Sequence, residues 1–482
     1  MQRAAIQKIL GILLMVISVS MFPPVLVSLG YQDGAMMPFV IAFLATLISG
    51  AALWLPVHKL QNEMRVRDGF IVVAMFWLVL GLSGSLPLML SVTPHLSITD
   101  AVFESISGLT TTGATVITGL DDLPPSILYY RHQLQWLGGM GIIVLAVAVL
   151  PMLGIGGMQL YRAETPGPMK DTKLTPRIAE TAKALWYIYF GLTIVCALSY
   201  WAAGMTPFDA ICHSFSTVAI GGFSTHDLSM GYFNSALIEM VAIVFMLLAG
   251  ANFSLHFLAW RSFSLSPYRA DAEFKAYIKI LAVVALITMS YLYFTDTLAL
   301  GGAIHNGLFQ AVSIGTTTGF TTAEYHNWPG FLPALLLLSS FIGGCAGSTG
   351  GGMKVIRVLL LVKQGLREVI RLIHPSALVP VKVGGNVLEE RVVDAVWGFF
   401  SLYVGSFIVM ALLLAASGLD LITAFSAVAA CMNNLGPGLG EVGAHYGDIN
   451  DPAKWVLCFA MILGRLEIFT VLVLLTPAFW RK

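Results

Sequence analysis

The feature that most constrains this chain is a series of about ten apolar runs, each near the length that crosses a lipid bilayer. Lipid is the expected solvent, because 57% of the 482 residues are hydrophobic and only 11% are charged. Soluble domains carry about 25% charged residues. The sequence therefore predicts an all-α polytopic membrane protein. The runs lie at 5–30, 37–57, 69–92, 130–156, 184–204, 235–260, 277–299, 331–372, 392–417 and 453–477.

Lysine and arginine residues predict the orientation of these spans. The basic clusters all fall on one side, which by the positive-inside rule is the cytoplasm, and both termini fall there too. They lie in the segments 59–67, 162–183, 261–279 and 354–391. The opposite loops carry only Arg131 and Lys454 as basic residues, and their acids predict either a solvated surface or an outer vestibule that concentrates cations. Those acids are Asp121, Asp122, Asp227, Glu324, Glu441, Asp448 and Asp451.

Charge balance and the scatter of reactive residues argue against other classes of function. The 26 Lys and Arg residues balance the 26 Asp and Glu residues, which argues against nucleic acid as a partner. The five cysteines and ten histidines show no metal-ligand or disulfide spacing. No nucleophile–base pair or Gly-x-Ser-x-Gly motif is apparent, so an enzyme is a remote alternative and no cofactor is expected.

Four segments between the spans share one pattern. Each is an amphipathic stretch of about 12 residues, as long as a short helix, followed by a turn rich in Gly and Thr. They align without gaps on Gly113, Gly222, Gly319 and Gly436. Thirteen residues before these glycines stand residue types that cap helix N-termini, namely Asp100, Asp209, Asn306 and Thr423. The pattern predicts four pseudo-repeats of helix, re-entrant pore helix and helix around one central pore, after two extra N-terminal transmembrane helices.

This repeat divides the chain into five segments. The first, 1–67, is expected to hold the two N-terminal transmembrane helices, with a retained first helix that is kinked at Pro23 and Pro24. The four pore repeats are expected at 68–160, 178–262, 272–373 and 388–482.

The four loops predict a cation site at membrane depth. Irregular backbone is tolerated there only where it is buried in protein or lines water. A short helix that points inward places the negative end of its dipole at the axis, and rings of backbone carbonyl groups replace the hydration shell of an alkali cation. Close helix packing by Gly and Thr is the alternative. The candidate ligands are Thr111, Thr112, Gly113, Ile220, Gly221, Gly222, Thr317, Thr318, Gly319, Asn434, Leu435 and Gly436.

The third repeat contains a glycine-rich break. Six of the ten residues from Gly343 to Gly352 are glycine, inside a run that would otherwise form one long helix. Each Gly costs a helix interior roughly 1 kcal/mol relative to Ala, so a break is predicted. It acts either as a movable gate beneath the loops or as a static kink. The candidate gate residues are Gly347, Ser348, Thr349 and Gly350.

Arg465 is a charge within the last apolar run. Glu467 follows two residues later, and residues two apart on a helix do not face each other. A charge at membrane depth costs about 3 kcal/mol or more and usually faces a cavity. Arg465 therefore either lines the pore or pairs with an acid on another helix. Glu104 and Glu239 are further intramembrane acids that serve as structural partners or carry protons.

The loops and the glycine-rich break also carry a family resemblance, which runs essentially from end to end. The chain resembles the membrane subunits of bacterial Trk-type potassium uptake systems, in the Trk/Ktr/HKT superfamily. The most specific stretches are Ser-Gly-Leu-Thr-Thr-Thr-Gly-Ala at 107–114, and the segments 217–226, 342–354, 433–438 and 464–469. The fourth loop, with Asn434 and Leu435, departs furthest from the pattern.

The resemblance implies a function and partners that composition and spacing do not. It implies K⁺ as the transported ion, a filter with one glycine per repeat, and a gate in which the 343–352 loop lies opposite Arg465. It also implies a homodimer with one pore per protomer, a cytosolic nucleotide-binding regulatory ring, and a place in the bacterial inner membrane with both termini cytoplasmic. A symporter that couples K⁺ to H⁺ or Na⁺ stays open as the alternative.

Overall fold

The computed structural model describes residues 3–59, 66–148, 178–384, 386–388, 390–466 and 468–481. Several residues used above lie outside these ranges, as does the part of the run 130–156 that follows Ala148. They are Arg65, Arg162, Lys170, Lys173, Arg177, Glu467 and Lys482.

The described residues form twenty α-helices, numbered here in chain order. They are α1 (Arg3–Val19), α2 (Phe22–Tyr31), α3 (Met36–Trp54), α4 (Val66–Leu90), α5 (Ile98–Leu109), α6 (Pro125–Ala148), α7 (Ile178–Ala202), α8 (Pro207–Ala219), α9 (Ala236–Ala249), α10 (Phe253–Ser262), α11 (Ser266–Ala270), α12 (Ala272–Phe294), α13 (Leu300–Gly315), α14 (Leu332–Ser340), α15 (Val355–Ile373), α16 (Glu390–Ala416), α17 (Leu421–Met432), α18 (Asp451–Arg465), α19 (Ile468–Leu475) and α20 (Pro477–Trp480). Strands β1 (Lys382–Val383) and β2 (Asn386–Val387) pair antiparallel between α15 and α16.

Six helical segments of the described chain are long and apolar enough to cross a membrane, or up to eight if each of two bent pairs counts as one span. Large apolar side chains such as Leu286 and Leu412 point outward from them and are exposed, as expected for a surface that faces lipid. The predicted N-terminal kink is a turn at Ser20 and Met21, and the two prolines lie in the first turn of the helix that follows. The six segments are Arg3–Tyr31, Met36–Val57, Asp68–Leu90, Lys183–Ala202, Ala272–Phe294 and Val392–Ala416.

Four units of one design follow the N-terminal helices, as the sequence predicts. In each unit a long outer helix leads to a short pore helix of 12 to 16 residues, and an inner helix returns after an irregular loop. Unit 1 is formed by α4–α6, unit 2 by α7–α10, unit 3 by α12–α15 and unit 4 by α16–α19. The pore helices are the most buried elements, because each is enclosed by its own unit and by its neighbours.

The first two pore helices begin three residues earlier than the sequence predicts. Ser97 and Thr206 are the N-caps, and each accepts a 3.1 Å hydrogen bond from the backbone N–H of Asp100 or Asp209. The prediction that the two aspartates are caps is therefore wrong. Their carboxylates accept the hydroxyl hydrogen of the cap residue instead, a side-chain bond that holds the cap hydroxyl in place.

The other two predicted caps are wrong as well. Asp420 caps the fourth pore helix and accepts from the backbone N–H of Thr423 at 3.1 Å. The third pore helix is longer and begins at Leu300, after Ala299, which has no side-chain oxygen for a cap. Asn306 consequently lies inside that helix, where its side chain accepts from Thr322 at 3.0 Å.

The inner helices of units 2 and 4 are bent, although the sequence predicts continuous spans there. Helices α9 and α10 meet at 96°, and α18 and α19 meet at 118°. Asn252 explains the first bend, because its side chain accepts from the N–H of Ser254 at 2.8 Å and starts a new helix. In unit 1, Gly141 interrupts α6 with φ +46° and ψ −150°. The break predicted for unit 3 alone is therefore a property of every unit.

Candidate ion pathway

All four pore helices end in the same hydrogen-bonded turn. Two residues before the aligned glycine, the chain adopts a left-handed conformation with φ between 53° and 69°. These residues are Thr111, Ile220, Thr317 and Asn434. The following N–H donates to the carbonyl group five residues earlier, which closes a Schellman motif. Those bonds are Thr112 to Ser107 (2.9 Å), Gly221 to Ser216, Thr318 to Ser313 and Leu435 to Ala430 (2.8 Å each).

The aligned glycines form a closed ring. All four have positive φ, from 76° to 97°. A Cβ atom on each would meet the carbonyl oxygen of the residue that precedes the glycine of the next unit. The distances would be 2.1 Å from Gly113 to Gly221, 2.1 Å from Gly222 to Thr318, 2.0 Å from Gly319 to Leu435 and 2.8 Å from Gly436 to Thr112. The order 1–2–3–4–1 closes the ring through all four loops that carry the candidate ligands, and the divergent fourth loop takes part in it with the looser contact of Gly436.

Side chains support this common backbone differently in each unit. In units 1 and 3, hydroxyl groups pair within the loop, Thr110 with Thr112 at 2.7 Å and Thr316 with Thr318 at 2.8 Å. In unit 4, the Asn434 amide donates to Thr112 Oγ1 at 2.9 Å and so joins two loops. Unit 2 has neither device. The side-chain amide of Gln135 in α6 contacts the loop of unit 2 instead. The sequence carries no motif at Gln135.

A cavity of about 340 Å³ lies directly outside the ring and is lined by all four aligned glycines. Of the predicted vestibule acids, Asp227 and Glu324 line it. Asp227 also accepts from the backbone N–H groups of Gly119 and Leu120, at 3.0 Å each, so it fixes a loop as well as contributing charge. Arg131, His226 and His326 also line this cavity, called the mouth below, so it carries ionisable groups of both signs. A vestibule that concentrates cations therefore stays a prediction.

His226 is a titratable group at this mouth. Its Nδ1 atom lies 2.5 Å from Asp121 and its Nε2 atom 3.6 Å from Asp209, and its ring stacks on Tyr232. Burial alone would lower the pKa of His226, but hydrogen bonds to Asp209 and Asp121 and their negative charge outweigh it, so the pKa is raised above 6.5. Burial alone would raise the pKa of Asp121, but its hydrogen bonds with His226 and Asp227 and the charge of His226 together outweigh burial, so the pKa of Asp121 is lowered.

Arg131 and Lys454 are buried ion-pair partners, which corrects their placement in outer loops. Arg131 lies in α6 and pairs with Glu104 of the first pore helix at 2.8 Å. Lys454 lies in α18 and pairs with Asp100 at 2.7 Å. Both acids come from α5, so the pore helix of unit 1 is tied to inner helices of units 1 and 4. Glu104 therefore acts as a structural partner, one of the two roles expected for it.

The glycine-rich segment of unit 3 lies directly beneath the ring and contacts the ends of three pore helices. Thr349 Oγ1 donates to the carbonyl group of Val218 in unit 2 at 2.9 Å. The N–H of Gly351 donates to Thr317 Oγ1 at 2.7 Å, and the N–H of Gly352 donates to Asn433 in unit 4 at 3.0 Å. A Cβ atom on Gly350 would lie 3.2 Å from the carbonyl oxygen of Thr316.

Arg465 connects this segment to unit 1. It is the last residue of α18, at the bend of the inner helix of unit 4. Its guanidinium donates to the carbonyl oxygen of Thr349 at 3.2 Å, and to those of Gly138 and Gly139 at 2.6 and 3.0 Å. The cation also lies 5.9 Å from the ring centre of Trp77, within cation–π range. Arg465 therefore joins units 1, 3 and 4 beneath the ring.

Glu273 is a second support of the glycine-rich segment, and the sequence does not single it out. It lies in the first turn of α12 and is buried. One carboxylate oxygen accepts from Ala346 N–H at 2.7 Å and from Ile356 N–H at 3.1 Å, on either side of Gly347 to Gly350. Ser348 donates within the segment, to Cys345 at 2.6 Å. The candidate gate residues thus lie in one packed layer with Arg465.

Comparisons with known proteins agree with this arrangement. The family described as "TrkH: Cation transport protein" matches residues 35–482. The chain is 61% identical over 488 residues to the Trk system potassium uptake protein TrkH of Vibrio parahaemolyticus, with 100% of each chain covered. It is 54% identical to TrkH of Escherichia coli, over 99% of each chain. The crystal structure of the potassium transporter TrkH from Vibrio parahaemolyticus superposes with a TM-score of 0.91 at 58% identity, covering 100% of each chain.

Proposed function

The chain belongs to the TrkH family of cation transport proteins, and we propose that it takes up K⁺ through one pore between its four units. Relatives at 54–61% identity over nearly their whole length are potassium uptake proteins. The ion is the transported substrate, and transport of K⁺ requires no enzymatic chemistry from this chain. The observation that carries the proposal is the closed ring of four glycines and four carbonyl groups.

The proposed selectivity filter is this ring. Each unit supplies one loop at the C-terminal end of its pore helix. The four loops are Thr111–Gly113, Ile220–Gly222, Thr317–Gly319 and Asn434–Gly436. Carbonyl oxygens and helix dipoles favour a cation there. Asp227 and Glu324 place two acidic groups in the cavity outside the ring, which attract cations toward it. Four loops with one backbone conformation provide equivalent ligands, which a chance packing of glycines does not explain.

The proposed gate is the layer beneath the filter. Residues 343–352 fill the space under three pore helices, and Arg465 adds a positive charge beside them. The candidate gate residues at the centre of this segment are Gly347, Ser348, Thr349 and Gly350. The described contacts fit a closed pore, because the bonds of Thr349 and Arg465 tie all four units together beneath the ring. Opening then requires the loss of these hydrogen bonds and the movement of a segment with little helix-forming tendency.

Coupled symport with H⁺ or Na⁺ is the second candidate. Glu239 favours it, because this buried acid at the start of α9 lies 3.2 Å from His305 of the third pore helix. Two titratable side chains at such a unit interface are suited to carry a proton.

Electrical recording of the purified protein in a planar bilayer separates the two candidates. With opposed K⁺ and H⁺ gradients, reversal at the K⁺ Nernst potential at every pH supports the channel. A reversal potential that moves with the H⁺ or Na⁺ gradient supports the symporter. The absence of any K⁺ current or K⁺ flux from folded protein would contradict both.

The remaining assignments follow the family. We propose a homodimer with one pore per protomer, regulated by a cytosolic nucleotide-binding ring, in a bacterial inner membrane with both termini cytoplasmic. Basic residues along α15, such as Lys363 and Arg371, place positive charge on the proposed cytoplasmic face. The proposed units remain 1–67, 68–160, 178–262, 272–373 and 388–482.

A further inference from the structure

The filter loop of unit 2 is held by a side chain from another unit. Gln135 lies in α6 of unit 1 and is fully buried. Its amide nitrogen donates to the carbonyl oxygen of Gly221 at 2.6 Å, and its amide oxygen accepts from the N–H of Phe223 at 3.1 Å. These two backbone groups flank Gly222, the ring glycine. One side chain therefore fixes both ends of the filter position in this unit.

Gly221 is the residue that makes room for this amide. The corresponding residues of the other loops, Thr112, Thr318 and Leu435, all carry side chains. Gly221 is absent from the positive-φ positions, so its backbone conformation does not require glycine. A Cβ atom there would instead lie 2.4 Å from both Cδ and Oε1 of Gln135. The glycine is required by the neighbour that packs on it.

We propose that Gln135 is a positioning residue that determines ion selectivity, by replacing within unit 2 the support that threonine gives in units 1 and 3. Its amide stands where a loop side chain would otherwise lie and sets the height of the Gly221 carbonyl group in the ring. This inference rests on the proposed role of the ring as the filter. It predicts that Gln135 and Gly221 can only be exchanged together.

Glutamine fits this role for a physical reason. Both groups that it satisfies are buried backbone groups, one acceptor and one donor, and a neutral amide supplies the complementary pair without a charge. An apolar side chain of similar size would keep the packing of α6 but leave the Phe223 N–H without this partner. The loop of unit 2, which has no hydroxyl of its own between Ala219 and Gly222, would then lose the contact that fixes its position.

The test uses full-length protein in planar bilayers and measures the K⁺/Na⁺ permeability ratio from reversal potentials. Gln135→Leu and Gln135→Met should each lower the ratio about fivefold, the change that corresponds to one net hydrogen bond. Gln133→Leu is the matched control, because Gln133 lies on the same helix and is buried, but donates to Ser20 at 2.7 Å, away from the filter. It should keep the ratio.

A double variant tests the exchange. Gly221→Ala alone should lower the ratio or prevent folding, because the new methyl group overlaps the amide of Gln135. The double variant, Gln135→Ala with Gly221→Ala, should have a permeability ratio closer to that of the original protein than either single variant has. Recovery of folded protein for the double variant alone also supports the proposal. Failure of all Gln135 variants to fold, with Gln133→Leu folded, would overturn it.

The outcomes also separate this inference from the filter proposal. If folded Gln135→Leu and Gln135→Met keep the original ratio while Gly113→Ser lowers it, the filter stands and the role of Gln135 is refuted. If Gly113→Ser leaves the ratio unchanged as well, the filter proposal itself has failed.

Discussion

The two layers of the proposed pore are built in opposite ways. In the ring, four loops with three different sequences adopt one backbone conformation, with a left-handed residue at the same position, the same hydrogen bond and an equivalent glycine contact. In the layer beneath, all four inner helices break, but each breaks differently. The breaks are the distorted Gly141 in unit 1, a 96° bend in unit 2, an extended irregular segment in unit 3 and a 118° bend after Arg465 in unit 4.

This difference separates two physical requirements. An ion held by backbone carbonyl groups needs equivalent ligands, which repeated helix ends provide whatever side chains they carry. A closure needs groups that bridge particular units, and single side chains such as Thr349 and Arg465 do so here. The predictions below test whether the ring governs selectivity and the lower layer governs the resting flux.

The largest expected effect is on the ring. Gly113→Ser should lower the K⁺/Na⁺ permeability ratio by more than about tenfold, because ring geometry sets the choice of ion and the new Cβ atom would lie 2.1 Å from the Gly221 oxygen. Gly119→Ser is the control, because Gly119 also has positive φ (+72°) but a Cβ atom added there would have no neighbouring atom within 4 Å. The ratios are measured from reversal potentials. If both variants lower the ratio equally, backbone strain and not the ring contact is responsible for the loss of selectivity.

The next effect concerns the glycine-rich segment. Deletion of Gly347 to Gly350 removes the bonds from Thr349 to Val218 and from Arg465 to Thr349. The resting K⁺ flux into proteoliposomes should rise about tenfold, which corresponds to a loss of about 1.4 kcal/mol from the closed state. The K⁺/Na⁺ ratio should change far less than in Gly113→Ser. A closed or unaltered pore after this deletion would remove the segment from the gate.

A smaller effect is expected at Glu273. Glu273→Gln weakens the charge-assisted bonds to Ala346 and Ile356 but keeps an acceptor, so the resting flux should rise about threefold. The matched control is Asp271→Asn, which removes a nearby charge that caps α12 through Phe274 and has no hydrogen bond to the segment. If both variants raise the flux equally, the effect comes from the end of α12 and not from the contacts of Glu273.

The smallest effect is a pH dependence at the mouth. The pKa of His226 is raised above 6.5, so its pairing with Asp121 stabilises the folded protein below that pH and is lost as the pH rises through the raised value. Deprotonation removes one positive charge from the mouth. The inward K⁺ current at low salt should therefore rise less than about twofold as the external pH increases.

His226→Gln should abolish this pH step and His445→Gln should keep it, because His445 does not line the cavity. A step of the same size in His226→Gln would assign it to another group.

The ring was predictable from the sequence because it is a local pattern repeated four times. A helix end, a glycine and a fixed spacing recur, so a gapless alignment on Gly113, Gly222, Gly319 and Gly436 finds the register. The cap positions were not predictable at the same level. Ser97 and Asp100 are both residue types that cap helices. Only the geometry decides which one is the cap and which one accepts its hydroxyl hydrogen from the first turn.

The partners of the buried polar groups were beyond sequence reasoning for a different reason. Lys454 looks like a loop charge until Asp100 of unit 1, 354 residues away in the chain, is seen beside it. Arg131 looks like a loop charge until its partner Glu104 in the same unit is seen. The bend at Asn252 contains one glycine, too weak a signal in an apolar run. Gln135 lies in a helix without any motif, and its role depends on a glycine 86 residues away.

The contact of Gly436 with Thr112 is the loosest of the four ring contacts, at 2.8 Å against 2.0 to 2.1 Å. It is also the joint between the last unit and the first, where no stretch of chain connects neighbouring units. The other three joints lie between units that are consecutive in the chain, so a covalent tether holds each of those pairs together. The fourth joint has no such tether and depends on noncovalent contacts between units 4 and 1, among them those of Asn434 with Thr112, Lys454 with Asp100 and Arg465 with Gly138.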